Sequence, residues 1–478
     1  MTARTGQQYR DGLRDDRTVW LGNEKIDILT HPATAGSVQG MAGYFDWQNT
    51  HADDCLVPDP VTGAPMNASL IVPRNATDLA RRHKCFERFA HYSFGMLGRT
   101  PDYVNVTLAG FIARSDLFGK NADRLARFYR EVVERDLSLT HTIIQPAIDK
   151  GVGDLQGING DLAARIVRRT KNGVIVRGAK VLATLGPFAD ELFVYPAAPL
   201  APGSSPDYAL CFSIPLGTKG LVTLCRDHYG TASDLRDQPF SARFDEQDAF
   251  MIFDDVEVPY ERLFINADLD LYNNLRKAGW AANVFQQTSI RAAVKLEFAY
   301  DLCTQMAKTM NAENRPDIAV ALGEIWAYAQ LTRAATTAGE VGAHDWGNGA
   351  FFCDDRPLRA VRDLMPTWMV RTNDIIKQLG SHNLLATPSL AAFDNPAIGP
   401  LLEEFLPGAN GVSARDRAQV FRTAWDFAGS ALGGRVELYE RFYLASQPKN
   451  FTRDHTQTLA EGGFGRYAEF LDVFRDHP

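Results

Sequence analysis

The sequence predicts an α+β chain in three successive parts: an N-terminal helical domain, a central β domain and a C-terminal helical bundle. Three observations predict it. Apolar residues recur at helical spacing in the first third. An Asn-Gly pair between β-branched runs then opens a stretch of short strand-like segments. The remainder returns to long helical periods.

In the first part, residues 1–142, Leu79, His83, Phe86, Ala90 and Leu97 fall roughly on one face, behind Thr77 as the expected N-cap. Leu125, Phe128 and Val132 repeat the pattern. The segment before them is less regular, and Pro58, Pro60, Gly63 and Pro65 mark a loop. The character changes after Gln145-Pro146, and residues 143–268 are expected to form the β domain. Arg165 to Thr170 and Val174 to Val176 flank Asn172-Gly173, a hairpin signal. Strand-like runs follow at 192–195, 208–214, 221–225 and 249–253, and Pro196, Pro199, Pro202 and Pro206 mark a rigid, irregular loop. Residues 269–478 are the expected bundle: Ile290, Val294, Phe298 and Cys303 run along one predicted helix from Phe285 to Met310. Ile318 to Thr337, Trp368 to Leu379 and Ala414 to Ala431 follow it.

Composition narrows the function classes. Hydrophobic residues make up 45% and charged residues 23%, ordinary globular values that argue against a disordered or membrane-spanning chain. No apolar run approaches the ~18 residues of a transmembrane helix. The stretch Met1 to Trp20 is rich in Arg and Asp and lacks the apolar core of a secretory leader. The 6 Cys are scattered, with no C-x-x-C pair, so neither a disulfide scaffold nor a zinc ribbon is indicated. A cytoplasmic protein with reduced thiols is the expectation. A formal net charge of -8 does not suit bulk binding of nucleic acid.

The usual nucleotide motifs are absent, and Gly151-Val-Gly-Asp-Leu-Gln-Gly157 has the wrong spacing for a dinucleotide loop. The 10 His do not cluster as metal ligands. Gly98-Arg-Thr-Pro-Asp-Tyr103 says more. Thr100 fits an N-cap with Pro101 in the first turn, so Arg99, Tyr103 and free backbone N–H groups would meet at a positive helix end suited to a phenolate. The local residues fit equally an ordinary cap with Arg99 paired to a carboxylate. His141, in Thr140-His-Thr-Ile-Ile-Gln-Pro146, lies at the helix-to-strand junction, either as a general base or as a structural histidine. Gln287 and Arg291 share a helix face and would either hold a cofactor's polar edge or link helices. Gly429-Ser-Ala-Leu-Gly-Gly-Arg435 is expected to end a helix, its glycines permitting close approach of a ligand or another helix.

Seven segments occur in one order: the two around Arg99 and His141, Arg177-Gly-Ala-Lys-Val-Leu-Ala-Thr184, Ser241-Ala-Arg-Phe-Asp-Glu246, Phe253-Asp-Asp-Val-Glu-Val-Pro259, Arg291-Ala-Ala-Val-Lys-Leu-Glu-Phe298 and Gly433-Gly-Arg-Val-Glu-Leu-Tyr439. Together they resemble the oxygenase components of the 4-hydroxyphenylacetate 3-monooxygenase family over nearly the whole chain. The resemblance implies an acyl-CoA-dehydrogenase-like fold, usually in a homotetramer. It also implies FAD taken up as FADH2 from a separate NAD(P)H-dependent flavin reductase, with O2 as co-substrate. In that family a flavin C4a-hydroperoxide oxygenates the ring carbon ortho to a phenol hydroxyl. The resemblance carries the phenol-binding and catalytic roles onto Arg99, Tyr103 and His141. It carries flavin contacts onto His141, Gln145, Ala147, Ile148, Asp149, Lys150, Thr184, Ser446 and Gln447.

One departure bears on the substrate. Where the closer relatives carry a Ser-Thr pair that holds a substrate carboxylate, this chain has Ala197-Ala198. Each lost hydrogen bond would cost a carboxylate about 1–2 kcal/mol. The pair points away from 4-hydroxyphenylacetate itself and leaves open a larger, neutral or carrier-bound phenol, its pocket shaped by the Pro-rich loop 196–206. Hydroxylation and oxidative loss of a ring halogen or nitro group both remain compatible. Two other classes stand against this expectation: a flavoprotein of the same fold acting on a CoA ester, as dehydrogenase or dehydratase, and a non-catalytic scaffold. The dehydratase needs iron–sulfur Cys ligands, and residues 96–106 contain none.

Overall fold

The computed structural model describes residues 3–149, 151–157, 160–230, 235–443, 445–473 and 475. The main helices of the first third are Pro32–Thr50, Ala76–Ser93, Pro101–Ala113 and Ala122–Arg135. Asn75, not Thr77, caps the second: its side-chain oxygen accepts from the Asp78 N–H at 3.0 Å. Asn75 is extended, as an N-cap must be, while Thr77 already lies in the first turn. Leu79, Phe86 and Ala90 are buried on this helix. Leu97 is buried too, but beyond the helix end, where Phe94 turns left-handed.

Two sheets form the middle. The six-stranded sheet has the order Glu24–Ile26, Thr18–Leu21, Leu221–Cys225, Asp248–Pro259, Gly173–Thr184, Arg165–Arg169. Its first two strands come from the N-terminal stretch, and Thr18–Leu21 runs parallel to Leu221–Cys225. The hairpin at Asn172-Gly173 forms as its sequence predicts, joining Arg165–Arg169 to Gly173–Thr184. Only glycine fits at 173, since a Cβ there would sit 2.2 Å from the Val258 carbonyl oxygen. The four-stranded sheet has the order Leu263–Asn266, Leu210–Pro215, Glu191–Val194, Leu139–Thr142. Phe111, Phe128, Phe193 and Phe264 pack between it and the helices. Burying each such ring contributes roughly 1.5–3 kcal/mol.

Side chains alternate along Leu139–Thr142. Thr140 and Thr142 face the larger sheet: their hydroxyls donate to the Thr184 and Val181 carbonyls at 2.5 and 3.3 Å. His141 therefore points the other way, toward the Pro101–Ala113 helix. The C-terminal part is built on Trp280–Thr309, Pro316–Val341 and Asp355–Ala386, with Ala414–Ala424 and Ala431–Phe442 packed on them. Trp280–Thr309 is buried along most of its length and also packs on the N-terminal helices. The Gly429 to Arg435 segment ends one helix, as expected, and starts another: the π-helical turn Trp425–Gly429 closes at Gly429. Ser430 caps Ala431–Phe442 by accepting from the Gly433 N–H at 3.0 Å. A Cβ at Gly433 would lie 2.8 Å from the Phe427 carbonyl oxygen, so this glycine serves close packing of the chain on itself.

Candidate active site

Pro101 opens its helix and Thr100 occupies the N-cap position, but the Thr100 hydroxyl makes no capping bond. Arg99 just precedes that helix, and its backbone N–H donates to Glu246. Its guanidinium is buried in an aromatic box, 3.8 Å from the Tyr103 ring centre and 5.2 Å from those of Tyr439 and Tyr443. Gly98 lets the box close, because a Cβ there would fall 2.4 Å from the Tyr439 ring, whose hydroxyl donates to the Gly98 carbonyl. Among the described residues no carboxylate reaches the Arg99 guanidinium: Nη2 donates to the Tyr443 carbonyl at 3.3 Å, and buried Nη1 has no partner. The surface-cap alternative for Arg99 is thereby removed.

His141 completes the group. Its ring stacks on Tyr103 with centroids 5.4 Å apart and lies 5.5 Å from Tyr195. Burial first, then the Arg99 charge, push its pKa well below 6.5. The imidazole is therefore neutral at pH 7, and its buried Nδ1 has no partner among the described residues. Trp280 stands edge-on to Tyr195, and its buried Nε1 is likewise unpartnered. An unpaired cation, a neutral imidazole and, next to Tyr195, an indole with an unpartnered N–H thus belong to one cluster of aromatic rings. Leaving such groups unmet costs about 1–3 kcal/mol each, which a polar aromatic guest would recover.

Beside this group lies a lattice of matched charges. Arg435 binds Asp248 with Nε at 2.8 Å and Nη2 at 2.6 Å, and reaches Glu246 at 2.6 Å. Arg226 binds Asp245 at 2.6 Å. Arg291 clasps Glu440 with both nitrogens, at 2.8 and 2.9 Å, and Lys295 reaches the same carboxylate at 3.1 Å. Burial opposes the Glu440 charge, but Arg291 and Lys295 outweigh it and bring its pKa down to about 2. Gln287 donates to Asp102 at 2.8 Å. Gln287 and Arg291 thus link helices, the structural one of their two expected roles.

The other expected positions are spread out. Thr184 touches the His141 strand through the Thr140 hydroxyl, and its own hydroxyl donates to Asp248 at 2.9 Å. Gln145 follows the isolated Ile144–Val181 bridge, and its buried Oε1 has no partner among the described residues. Ala147 has a positive φ of 47°, Ile148 is exposed, and Asp149 folds back to accept from the Gly151 N–H at 2.9 Å. Lys150 lies outside the described residues. Ala197 is half-buried and Ala198 exposed, just beyond Tyr195-Pro196. Ser446 and Gln447 line a cleft of about 640 Å³ with Thr367, Lys377 and Glu437, and none of Arg99, Tyr103 or His141 lines it. The chain links the two places, because Tyr443 holds Arg99 three residues before Ser446. Lys180 is buried on the strand that ends at Thr184, and burial brings its pKa down to about 7. Sequence inspection missed Tyr195, Trp280, Tyr443 and Asp248, which carry no local motif. Among the described residues no group of His, Cys, Asp and Glu could hold a metal ion, and no helix is long and apolar enough to cross a membrane.

Two family models match in series, 4-hydroxyphenylacetate 3-hydroxylase N terminal over residues 5–265 and C terminal over residues 276–452. The chain belongs to the 4-hydroxyphenylacetate 3-hydroxylase family. It is 34% identical to the 4-hydroxyphenylacetate 3-monooxygenase oxygenase component of Thermus thermophilus, covering 92% of each chain. It is 31% identical to the oxygenase component of a Rhodococcus 4-nitrophenol 2-monooxygenase, covering 92% of this chain and 85% of that one. The crystal structure of an oxygenase component of 4-hydroxyphenylacetate 3-monooxygenase, complexed with FAD and 4-hydroxyphenylacetate, superposes with a TM-score of 0.91. It shares 32% identity and covers 99% of this chain and 98% of that one. A 4-hydroxybutyryl-CoA dehydratase from N. maritimus superposes with a TM-score of 0.88 at 18% identity, covering 100% of this chain and 96% of that one, a likeness of fold alone. The fold is the expected α+β one.

Proposed function

We propose that this chain is the oxygenase component of a two-component monooxygenase that uses reduced FAD and O2 to hydroxylate a phenol ortho to its hydroxyl. The observation that carries this is the buried Arg99, a cation with no carboxylate partner among the described residues, enclosed by aromatic rings beside a neutral His141. A phenolate supplies what that enclosure lacks: a flat ring and one negative oxygen. Arg99 stabilises the phenolate oxygen. The free Nδ1 of His141 accepts the phenol proton, which makes the ortho carbon electron-rich. Tyr103 fixes the oxygen between them. The enclosure around Tyr195 and Trp280 excludes water from the ring.

The residues also fit a flavin. Gln145 offers an unmatched carboxamide oxygen and Thr184 a hydroxyl on the neighbouring strand. His141, Ala147, Ile148 and Asp149 complete the approach, and Ser446 and Gln447 flank the entry at the cleft. When bound, reduced FAD activates O2 for attack on the ring. In this reading the parts 1–142, 143–268 and 269–478 enclose the flavin at their junction. Ala197 and Ala198 face the substrate's tail. Neither offers a hydroxyl, which favours a phenol without a carboxylate there. A separate NAD(P)H-dependent flavin reductase, a homotetramer and a cytoplasmic setting belong to the same reading. Exposed Val320, Trp326, Leu331 and Val341 along one helix support self-association.

The test is to mix the protein anaerobically with reduced FAD and a panel of phenols, add O2, and follow flavin absorbance by stopped flow and products by mass spectrometry. One phenol gaining an oxygen in proportion to O2 consumed is the expected result. Flavin oxidation identical to that in free solution, with no oxygenated product, sinks the proposal and reopens the CoA-ester and scaffold alternatives.

A further inference from the structure

The buried Glu246 carboxylate touches Arg99, yet only at its backbone. Oε1 accepts from the Arg99 N–H, while the guanidinium of the same residue has no carboxylate partner among the described residues. A free carboxylate so near a buried, unpaired cation would turn onto it, because their attraction is strong in the interior and the lone charge is costly there. The second oxygen of Glu246 shows what prevents this.

Oε2 accepts from Arg435 Nη1 at 2.6 Å. The other two arms of Arg435, Nε and Nη2, hold Asp248 at 2.8 and 2.6 Å. A planar fork with three of its N–H groups engaged on two carboxylates has a fixed orientation. Arg435 also lies 5.0 Å from the centre of the Tyr439 ring, the ring that Arg99 approaches at 5.2 Å. The two arginines thus share one aromatic neighbour and one carboxylate. Arg435 takes Glu246 by its side chain, and Arg99 takes it by its backbone. Asp248 is directed elsewhere, to the Thr184 hydroxyl and Arg226.

We infer that Arg435 is a positioning residue of the substrate site, a guard that holds Glu246 on the Arg99 backbone and keeps the Arg99 guanidinium open for the anionic oxygen of a phenolate. This rests on the proposed role of Arg99. Without the guard, Glu246 swings onto the guanidinium and competes with the phenolate for the same charge.

The experiment titrates the full-length protein, anaerobic and loaded with reduced FAD, with 4-nitrophenol, whose ionised form is coloured and whose neutral form is not. Absorbance reads both the affinity and the pH at which the bound phenol ionises. Wild type is expected to bind the ionised form and to lower that pH below its value in solution. Arg435→Gln should weaken binding about tenfold or more, the scale of one hydrogen bond to a charged group, and move the ionisation back toward its solution value. Adding Glu246→Gln removes the competitor and should restore both. Adding Asp248→Asn instead restores the same net charge but leaves Glu246 in place, so it should restore neither. If Arg435→Gln does not fold, Arg435→Lys takes its place. Its single ammonium cannot fork across two carboxylates, so a smaller loss with the same pattern of rescue is expected. Unchanged affinity on replacing Arg435, no rescue by Glu246→Gln, or equal rescue by Asp248→Asn overturns the inference. Wild type that binds only the neutral phenol, or neither form, overturns the reading of Arg99 itself.

Discussion

Arg99 and Arg291 are both buried, and both approach the Tyr439 and Tyr443 rings, yet they are held in opposite ways. Arg291 faces Glu440 with two hydrogen bonds, and the Gly95 carbonyl takes a third. Arg99 has rings and one carbonyl. A buried charge that is matched inside the fold is architecture. One left unmatched in an enclosure of aromatic rings invites an anion from outside, because burial penalises the lone charge until a partner arrives. In the proposed reading, this difference separates scaffold from site.

The comparison can be broken first on the scaffold side. Glu440→Ala strands Arg291 and Lys295 without their carboxylate and should cost about 3–5 kcal/mol of stability, measured as a drop in the urea midpoint. A loss under 1 kcal/mol would mean Arg291 is not structural. Arg99→Ala is the mirror case. It should cut product formed per O2 consumed by about 10²–10³-fold, with a far smaller loss of stability than Glu440→Ala and reduced FAD still bound. Unchanged coupling would remove Arg99 from the site.

Lys180 is a third kind of buried cation, one that has no ion pair among the described residues and gives up its charge instead. Its folded pKa of about 7 lies below the ordinary 10.5. Between those values the unfolded chain binds the extra proton, so this residue makes stability rise with pH, by up to ~1.4 kcal/mol per pH unit. Lys180→Met should be more stable than wild type at pH 7, and the gap should shrink as pH rises toward 10.5. A gap that stays constant with pH would show that Lys180 finds an anion in solution. The smallest expected effect concerns the substrate's tail. Ala197→Ser with Ala198→Thr should improve binding of 4-hydroxyphenylacetate by about 1–2 kcal/mol for each hydrogen bond restored, read by calorimetry. No gain would mean this pair does not face the carboxylate.

Much of the fold was legible because it rests on local chemistry. Asn172-Gly173 marks its hairpin, and the period of Phe285 to Met310 matches the helix Trp280–Thr309 to within one residue at its C-terminal end. What was not legible needed a distant partner. Thr18–Leu21 is only 4 residues long and becomes a strand by lying against Leu221–Cys225. The choice of Asn75 over Thr77 turned on where helical dihedrals begin, and both residue types make good caps.

The site divides along the same line. Sequence by itself determined the nature of Arg99, Tyr103 and His141 and, through seven segments in one order, the family resemblance. Pro101 fixes where the Arg99 helix starts, and the alternation along Leu139–Thr142 decides which way His141 turns. Only the tertiary structure decided that no carboxylate among the described residues meets the Arg99 guanidinium, that Tyr439 and Tyr443 wall it in from some 340 residues away, and that the Thr184 hydroxyl donates to Asp248. Charge compensation and hydrogen-bond polarity are properties of distances between remote segments, and a linear pattern carries no such distances until the chain has packed.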